Sequence, residues 1–303
     1  MDPNTASPKL SRRVSLIFAI ALAVGAAVLV MSRPDSTGAG DQSRYATLGL
    51  NLLQHGVFSA EHYDPAGPAP VPTLAAGGPI IAGEIALSAL IDRRTREGLE
   101  CMVATKATSA DPCELWLPAL RALHVVEILI FFAGLFVVSR GVLADDRLAW
   151  VATCSGLACR EVFDGAALVL TEPLYAMTWA LFAAASIETW RRGFDPRFSA
   201  LTGALLGAGI LVKPTLAVLV VVVPISLSIA GLLARCRLRR IIAANAALLA
   251  MSLMVILPWL VRSTVLSGAP AMTDAGYLEA SLAHRFGYQS MTATEWLIGW
   301  LYF

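Results

Sequence analysis

Apolar runs of bilayer-crossing length recur along this chain, and the short segments closing every second run are rich in arginine. The runs cover residues 14–31, 117–138, 148–163, 171–190, 199–212, 215–233 and 241–261, and 296–303 reads as the start of an eighth, cut short. In hydrocarbon every backbone N–H and C=O must be satisfied within the chain, so runs of this kind become helices. The expected fold is all-α and polytopic, with about seven to eight spans in a single domain over residues 1–303. Residues 33–116 form a long first extracytoplasmic loop carrying short amphipathic helices, and residues 117–303 hold the remaining spans. Only 15% of the residues are charged and 57% are hydrophobic. Soluble domains carry about 25% charged residues. A net charge of +1 gives no electrostatic case for nucleic acid.

The charges orient the runs. Lys9, Arg12 and Arg13 precede the first. Arg140 and Arg147 follow the second, Arg191, Arg192 and Arg197 the fourth, and Arg235, Arg237, Arg239 and Arg240 the sixth. A cytoplasmic N-terminus puts all of these on the cytoplasmic side, as positive-inside orientation requires, and Trp116, Trp150, Trp190 and Trp259 fall near span ends. The first run is longer than a signal-peptide core and no small-residue cleavage site closes it, so it reads as a retained anchor in the plasma (inner) membrane. In the long loop, prolines and glycines at 64–79 exclude a regular helix. Residues 79–91 are apolar but too short to span, which suits a re-entrant or interfacial helix. Residues 92–114 are charged and read as loop. The five cysteines make no metal-ligand pattern, and no metal is expected. Cys154 and Cys159 read as small core residues of an apolar span, and Cys236 sits in an arginine-rich loop. Cys101 and Cys113 share the long loop, where a disulfide and two free thiols both fit.

Residues 40–56 read as a short amphipathic helix beyond the first span. Asp41 is the expected N-cap, Tyr45, Leu48, Leu52 and Leu53 recur at helical spacing, and Gly56 suits the stop. Asp41, Arg44 and Tyr45 share one face. The same side of the membrane receives Asp164 in the turn between spans three and four, Glu172 at the start of span four, Lys213 between spans five and six, and Arg262 at the end of span seven. Each has a bland reading: a helix cap for Asp41, a turn residue for Asp164, a first-turn acid for Glu172, a snorkelling Lys213, an interfacial anchor for Arg262. Together they place a carboxylate among cations at a membrane surface, which suits a phosphate-bearing lipid substrate. His55 and His62 read as surface residues, His124 as packed in span two, and Glu127 as buried there without an assigned role. Gly203 and Gly207 form a small-xxx-small pair that permits close helix packing.

At these residues the chain resembles the GT-C superfamily of polytopic membrane glycosyltransferases, in the branch of the protein O-mannosyltransferases and the lipid A aminoarabinose transferase. Asp41-Gln-Ser-Arg-Tyr45 is similar to that branch's first-loop Asp-Glu-x-Arg-Tyr pattern. Leu170-Thr-Glu-Pro-Leu174, the segment ending in Lys213-Pro-Thr215, and Leu257-Pro-Trp-Leu-Val-Arg262 resemble three further segments of it in order. The likeness covers about residues 14 to 270. Gln42 stands where many members carry a second acid, Gly77-Gly-Pro79 where Lys-Pro-Pro is common, and Ser263 where Asn is usual; members are also longer.

The resemblance implies a polyprenyl-phosphate-linked sugar as donor, an inverting transfer and an extracytoplasmic active site. It implies Asp41 as catalytic base, Arg44 as phosphate ligand with Lys213 and Arg262 as further candidates, and Tyr45 and Glu172 shaping the sugar or acceptor site; Asp164 joins the substrate-binding set. The expected partners are membrane lipid, the donor, and a glycan, lipid or protein acceptor of the cell envelope, with no other cofactor. The rival expectations are a secondary transporter and a truncated, non-catalytic member of the glycosyltransferase family.

Overall fold

The computed structural model describes residues 12–32, 41–74, 78–105, 116–268 and 270–271. Among them it is all-helical, with no strand. The helices are α1 (Arg12–Met31), α2 (Asp41–His55), α3 (Pro79–Ile91), α4 (Arg93–Thr105), α5 (Pro118–Leu143), α6 (Asp146–Ser155), α7 (Arg160–Ala167), α8 (Glu172–Arg191), α9 (Pro196–Val212), α10 (Leu219–Leu233) and α11 (Leu238–Ser267). Short 3₁₀ turns occupy Gly156–Ala158 and Pro214–Val218. Four helical stretches are long and apolar enough to cross a membrane: Arg13–Met31, Pro118–Leu143, Leu216–Leu233 and Leu238–Ser267. They point to a membrane protein. Helix α9 is apolar but has 17 residues, and α8 has 20 but is less apolar. The expected eighth span lies outside the described residues.

Three expectations are corrected. The run 148–163 is not one helix: α6 stops at Ser155, a 3₁₀ turn follows, and α7 restarts at Arg160. Gly156 sits against the Phe132 and Leu135 side chains, where a Cβ would meet Phe132 at 2.9 Å, so α5 holds the break in place. The break leaves Cys159 exposed rather than in a core. The residues 92–114 are not all loop, because α4 forms within them. Asp92 Oδ2 accepts from both the backbone N and the Oγ1 of Thr95, each at 2.7 Å, and these bonds hold the Asp92 carboxyl below the usual range. Arg93–Glu97 and Arg96–Glu100 pairs at i,i+4 line the exposed face. Glu100 also accepts from the Tyr63 hydroxyl at 3.0 Å, tying α4 to the loop after α2. Burial, and then that bond, push the Tyr63 phenol above its ordinary value, so it stays a donor at neutral pH. Cys101, on α4, is disulfide-bonded; Cys113, its candidate partner, lies outside the described residues.

Contacts sort the charges to two ends. Gly141 packs on Ile187, bringing the end of α5 beside the end of α8. Phe194, after α8, is buried against Gly231 of α10, which also meets Ile241 of α11. The arginine-bearing turns after α5, α8 and α10 therefore share one end. Glu172, Lys213 and Arg262, at the far ends of α8, α9 and α11, share the other.

Helices α9 and α11 approach through glycines, as the small-xxx-small spacing predicts. A Cβ on Gly203 would fall on the Leu248 carbonyl, and one on Gly207 would meet the Ser252 carbonyl oxygen at 2.8 Å. The obstacle is backbone, so the helices must separate to admit a methyl group. Gly203→Ala should destabilise the fold by about 1–3 kcal/mol. A lowered melting temperature in detergent checks this; Gly25→Ala, where a Cβ meets nothing within 4 Å, is the control.

Candidate functional site

Helix α2 packs against α3 and meets the segment before α8. Asp41 is its first residue and first-turn acid, inside the helix rather than preceding it as the expected N-cap, and its side chain is exposed. Arg44 and Tyr45 are half-buried on the face they share with it. Residues Ala46 to Asn51 are all buried, so the middle of α2 is enclosed, while Asp41 and Gln54 near its ends are exposed. Close approach of α3 explains this, since a Cβ on Gly49 would overlap the Ile85 side chain. Gly56 closes the helix at φ +67°, as expected of its stop.

The residue that fixes the start of α2 is Gln42. It is 7% exposed, and its Oε1 accepts from the backbone N of Val169 at 3.3 Å. Thus Gln42 anchors α2 to the segment leading into α8, and Glu172 follows three residues later. Glu172 Oε1 lies 3.8 Å from Lys213 Nζ, with side-chain exposures of 33% and 41%. The Lys213 ammonium also sits 5.1 Å from the Tyr175 ring centroid. Glu172 Oε2 is buried and has no hydrogen-bond partner among the described residues. This arrangement offers a carboxylate oxygen to a hydroxyl and a half-exposed cation to an anion.

Arg262 occupies a neighbouring position. Its Nη2 donates to the backbone carbonyls of Phe58, at 3.0 Å, and Thr73, at 3.1 Å. The guanidinium lies between the Phe58 and Trp259 rings, at 5.0 and 4.8 Å. Arg262 is first a tether for the loop 57–74, which Asn51 holds from the other side by donating to Ser59 and Glu61 carbonyls. Its Nη1 is buried without a hydrogen-bond partner among the described residues. Arg262 also lines a cleft of about 390 Å³ with Leu52, Phe58, Pro79, Leu211 and Trp259. That cleft is apolar with a cation at its edge. Leu211 connects it to Lys213, two residues on, and Tyr45 packs against the core clusters on both sides.

Five of the seven expected site residues thus gather at one end: Tyr45, Glu172, Lys213 and Arg262 through these contacts, and Asp41 through the Gln42 anchor. Arg44 shares the face of α2. Asp164, on α7, is ion-paired with Arg160 at 2.9 Å, and the next residue, Gly165, packs against Glu172.

Sequence reasoning missed a second constellation. Glu84 on α3 and His124 and Glu127 on α5 bring their ligand atoms within 4.8 Å of one another. His124 Nδ1 donates to the Ala166 carbonyl at 2.8 Å, and its Nε2 faces Glu84 Oε1 at 3.4 Å. The available signal was His-x-x-Glu at i,i+3, one helical face with two ionisable groups inside an apolar run.

Family models, curated proteins and solved structures contain no match to this chain.

Proposed function

We propose that this chain is a polytopic glycosyltransferase of the GT-C type, transferring a sugar from a polyprenyl phosphate to an envelope acceptor on the extracytoplasmic face. The observation that carries the reading is the Glu172–Lys213 pair, in a segment tied to the first-loop helix by Gln42 and near a cation-edged apolar cleft. A phosphate needs the cations, an isoprenoid chain needs apolar surface, and an acceptor hydroxyl needs a carboxylate. In this reading the Asp41 carboxylate takes the hydroxyl proton. The hydroxyl oxygen attacks the anomeric carbon from the face opposite the phosphate, the anomeric C–O bond breaks, and its electron pair leaves on the polyprenyl phosphate with inversion. Arg44, Lys213 and Arg262 offset the growing negative charge. Tyr45 and Glu172 orient sugar or acceptor.

The proposed topology has seven to eight passes with the N-terminus in the cytoplasm. It draws on the arginine-bearing turns collected at one end and on the bonded Cys101, since disulfides persist in oxidising compartments.

The test is transfer of radiolabelled sugar from polyprenyl-phosphate donors into membrane acceptors, comparing wild type with Asp41→Asn at equal membrane expression. Loss of roughly 100-fold or more is expected for removal of a general base. Unchanged transfer would remove Asp41 from the chemistry. No transfer by wild type across a panel of donors would overturn the reading.

A further inference from the structure

We propose that Glu84, His124 and Glu127 form a binding site for one divalent transition-metal ion, with Zn²⁺ the best match to the donor set. The site is built from two elements far apart in sequence. His124 and Glu127 stand one turn apart on α5, and Glu84 comes from α3. His124 is 1% exposed, Glu127 is 7% exposed, and the Glu84 side chain is 9% exposed. Both Glu84 oxygens, Glu127 Oε2 and His124 Nε2 lack hydrogen-bond partners among the described residues. Four buried polar atoms face one another at one point with no hydrogen bond of good geometry, and one shared ion would satisfy them all.

The histidine tautomer limits what can sit between them. Nδ1 faces a backbone carbonyl, which can only accept, so Nδ1 carries a proton. In a neutral ring Nε2 then presents a lone pair. It faces a carboxylate oxygen, also an acceptor, at 3.4 Å. Two acceptors hold that position only with a proton or a cation between them. An imidazolium beside one carboxylate and one neutral carboxyl balances the charge without a metal. A divalent ion on a neutral imidazole and two carboxylates balances it as well and ligates all three groups at once, and a Co²⁺ titration separates the two.

Geometry and ligand type agree. Ligands at about 2.0–2.1 Å in a tetrahedral shell lie roughly 3.3 Å apart, close to the observed separation of Nε2 and Oε1. The widest separation, 4.8 Å, narrows by rotation of a carboxylate about its soft terminal torsion. A nitrogen ligand with two oxygens favours zinc and its first-row neighbours over magnesium or calcium. The Ala166 carbonyl on Nδ1–H is the outer partner that metal-bound histidines almost always have. Three protein ligands leave one position for water. Arg121, one turn back on α5, donates to the Val30 carbonyl at 3.4 Å and lies 4.5 Å from the Trp116 ring centroid. The ion would clamp α3 to α5 and, through His124, hold α7, where Gly165 packs against Glu172. It is separate from the Glu172–Lys213 pair and stands whether or not the chain is a transferase.

The test uses the full chain purified in detergent, stripped with a chelator and titrated with Co²⁺. Wild type should bind about one Co²⁺ per chain and show visible d–d bands of nitrogen and oxygen ligation, without the intense near-ultraviolet band of thiolate ligands. Adding Zn²⁺ should abolish the bands. Glu84→Gln and Glu127→Gln keep side-chain size and should lose binding by at least 10-fold, with helical content unchanged by circular dichroism. Well-folded wild type that takes up no Co²⁺ would overturn the site and leave the three groups sharing protons. So would glutamine variants that bind as wild type does, or a spectrum dominated by thiolate. Because Co²⁺ uptake is measured first on wild type alone, the site can be refuted even where a variant misfolds.

Discussion

On the proposed glycosyltransferase reading, Lys213→Ala is expected to lower sugar transfer by roughly 100-fold or more while leaving the fold standing. The two halves of this expectation come from different facts. A preorganised cation aimed at developing charge contributes several kcal/mol to a transition state, and its loss costs about 10²–10³ in rate. The same cation contributes little to folding. Its distance to Glu172 Oε1 is 3.8 Å, and 41% of its side chain is exposed. Pairs in that setting are worth about 0–1 kcal/mol. The melting temperature of Lys213→Ala should therefore stay close to that of wild type. Lys213→Arg should keep part of the activity, because it retains the charge but changes its position. Glu172→Gln is the partner experiment. It removes the charge from the oxygen next to Lys213 and keeps an acceptor for a substrate hydroxyl, so the loss should be smaller than for Lys213→Ala. If Lys213→Ala transfers sugar at the wild-type rate, the ion pair belongs to the surface of the bundle and the donor phosphate sits elsewhere.

The sequence could be read furthest where the signal was local. Apolar runs over 117–138 and 241–261 became α5 and α11 because length and hydropathy decide such helices without help from neighbours. Gly203 and Gly207 were readable because four-residue spacing of small residues is itself the packing device. Gly56 and Pro79 marked helix ends by their own backbone limits. What depended on distant partners was not readable. The break at Gly156 is held by Phe132, from another helix. Gln42 looked like a substitution for an acid; its work is to reach Val169, 127 residues away. Arg262 looked like a phosphate ligand, and nothing in its neighbourhood in sequence announces the carbonyls of Phe58 and Thr73. Helix α4 was hidden in a charged stretch, yet Asp92 with Thr95 and the i,i+4 pairs were local signals that could have been weighed. The metal-type cluster was half visible. His124 and Glu127 share a helix face by spacing alone, whereas the approach of Glu84 is a tertiary event.

Arg262→Ala is expected to destabilise the protein by about 2–3 kcal/mol and to free the loop 57–74. A hydrogen bond from a charged donor contributes about 1.5–3 kcal/mol, and half-exposure reduces that. Arg262 makes two, both to carbonyls of this loop, and its guanidinium also fills the gap between Phe58 and Trp259. Alanine removes the donors and leaves the rings facing a void. The measurements are a thermal melt in detergent and limited proteolysis followed by mass spectrometry. The melt should shift downward, and new cleavage should map to 57–74 ahead of any other segment. Arg262→Lys should recover less than half of the loss, because an ammonium cannot present the planar fork that binds while stacked between two rings. The substrate role separates cleanly from the tether role. With Nη2 committed to the loop, Nη1 has no hydrogen-bond partner among the described residues but is buried, so a phosphate reaches it only if the loop shifts. A polyprenyl phosphate added to wild type should then raise the melting temperature, and the same addition to Arg262→Ala should raise it less. A stable Arg262→Ala variant with an intact loop would reject the tether. An equal ligand-induced rise in both proteins would keep the tether and remove Arg262 from the donor site.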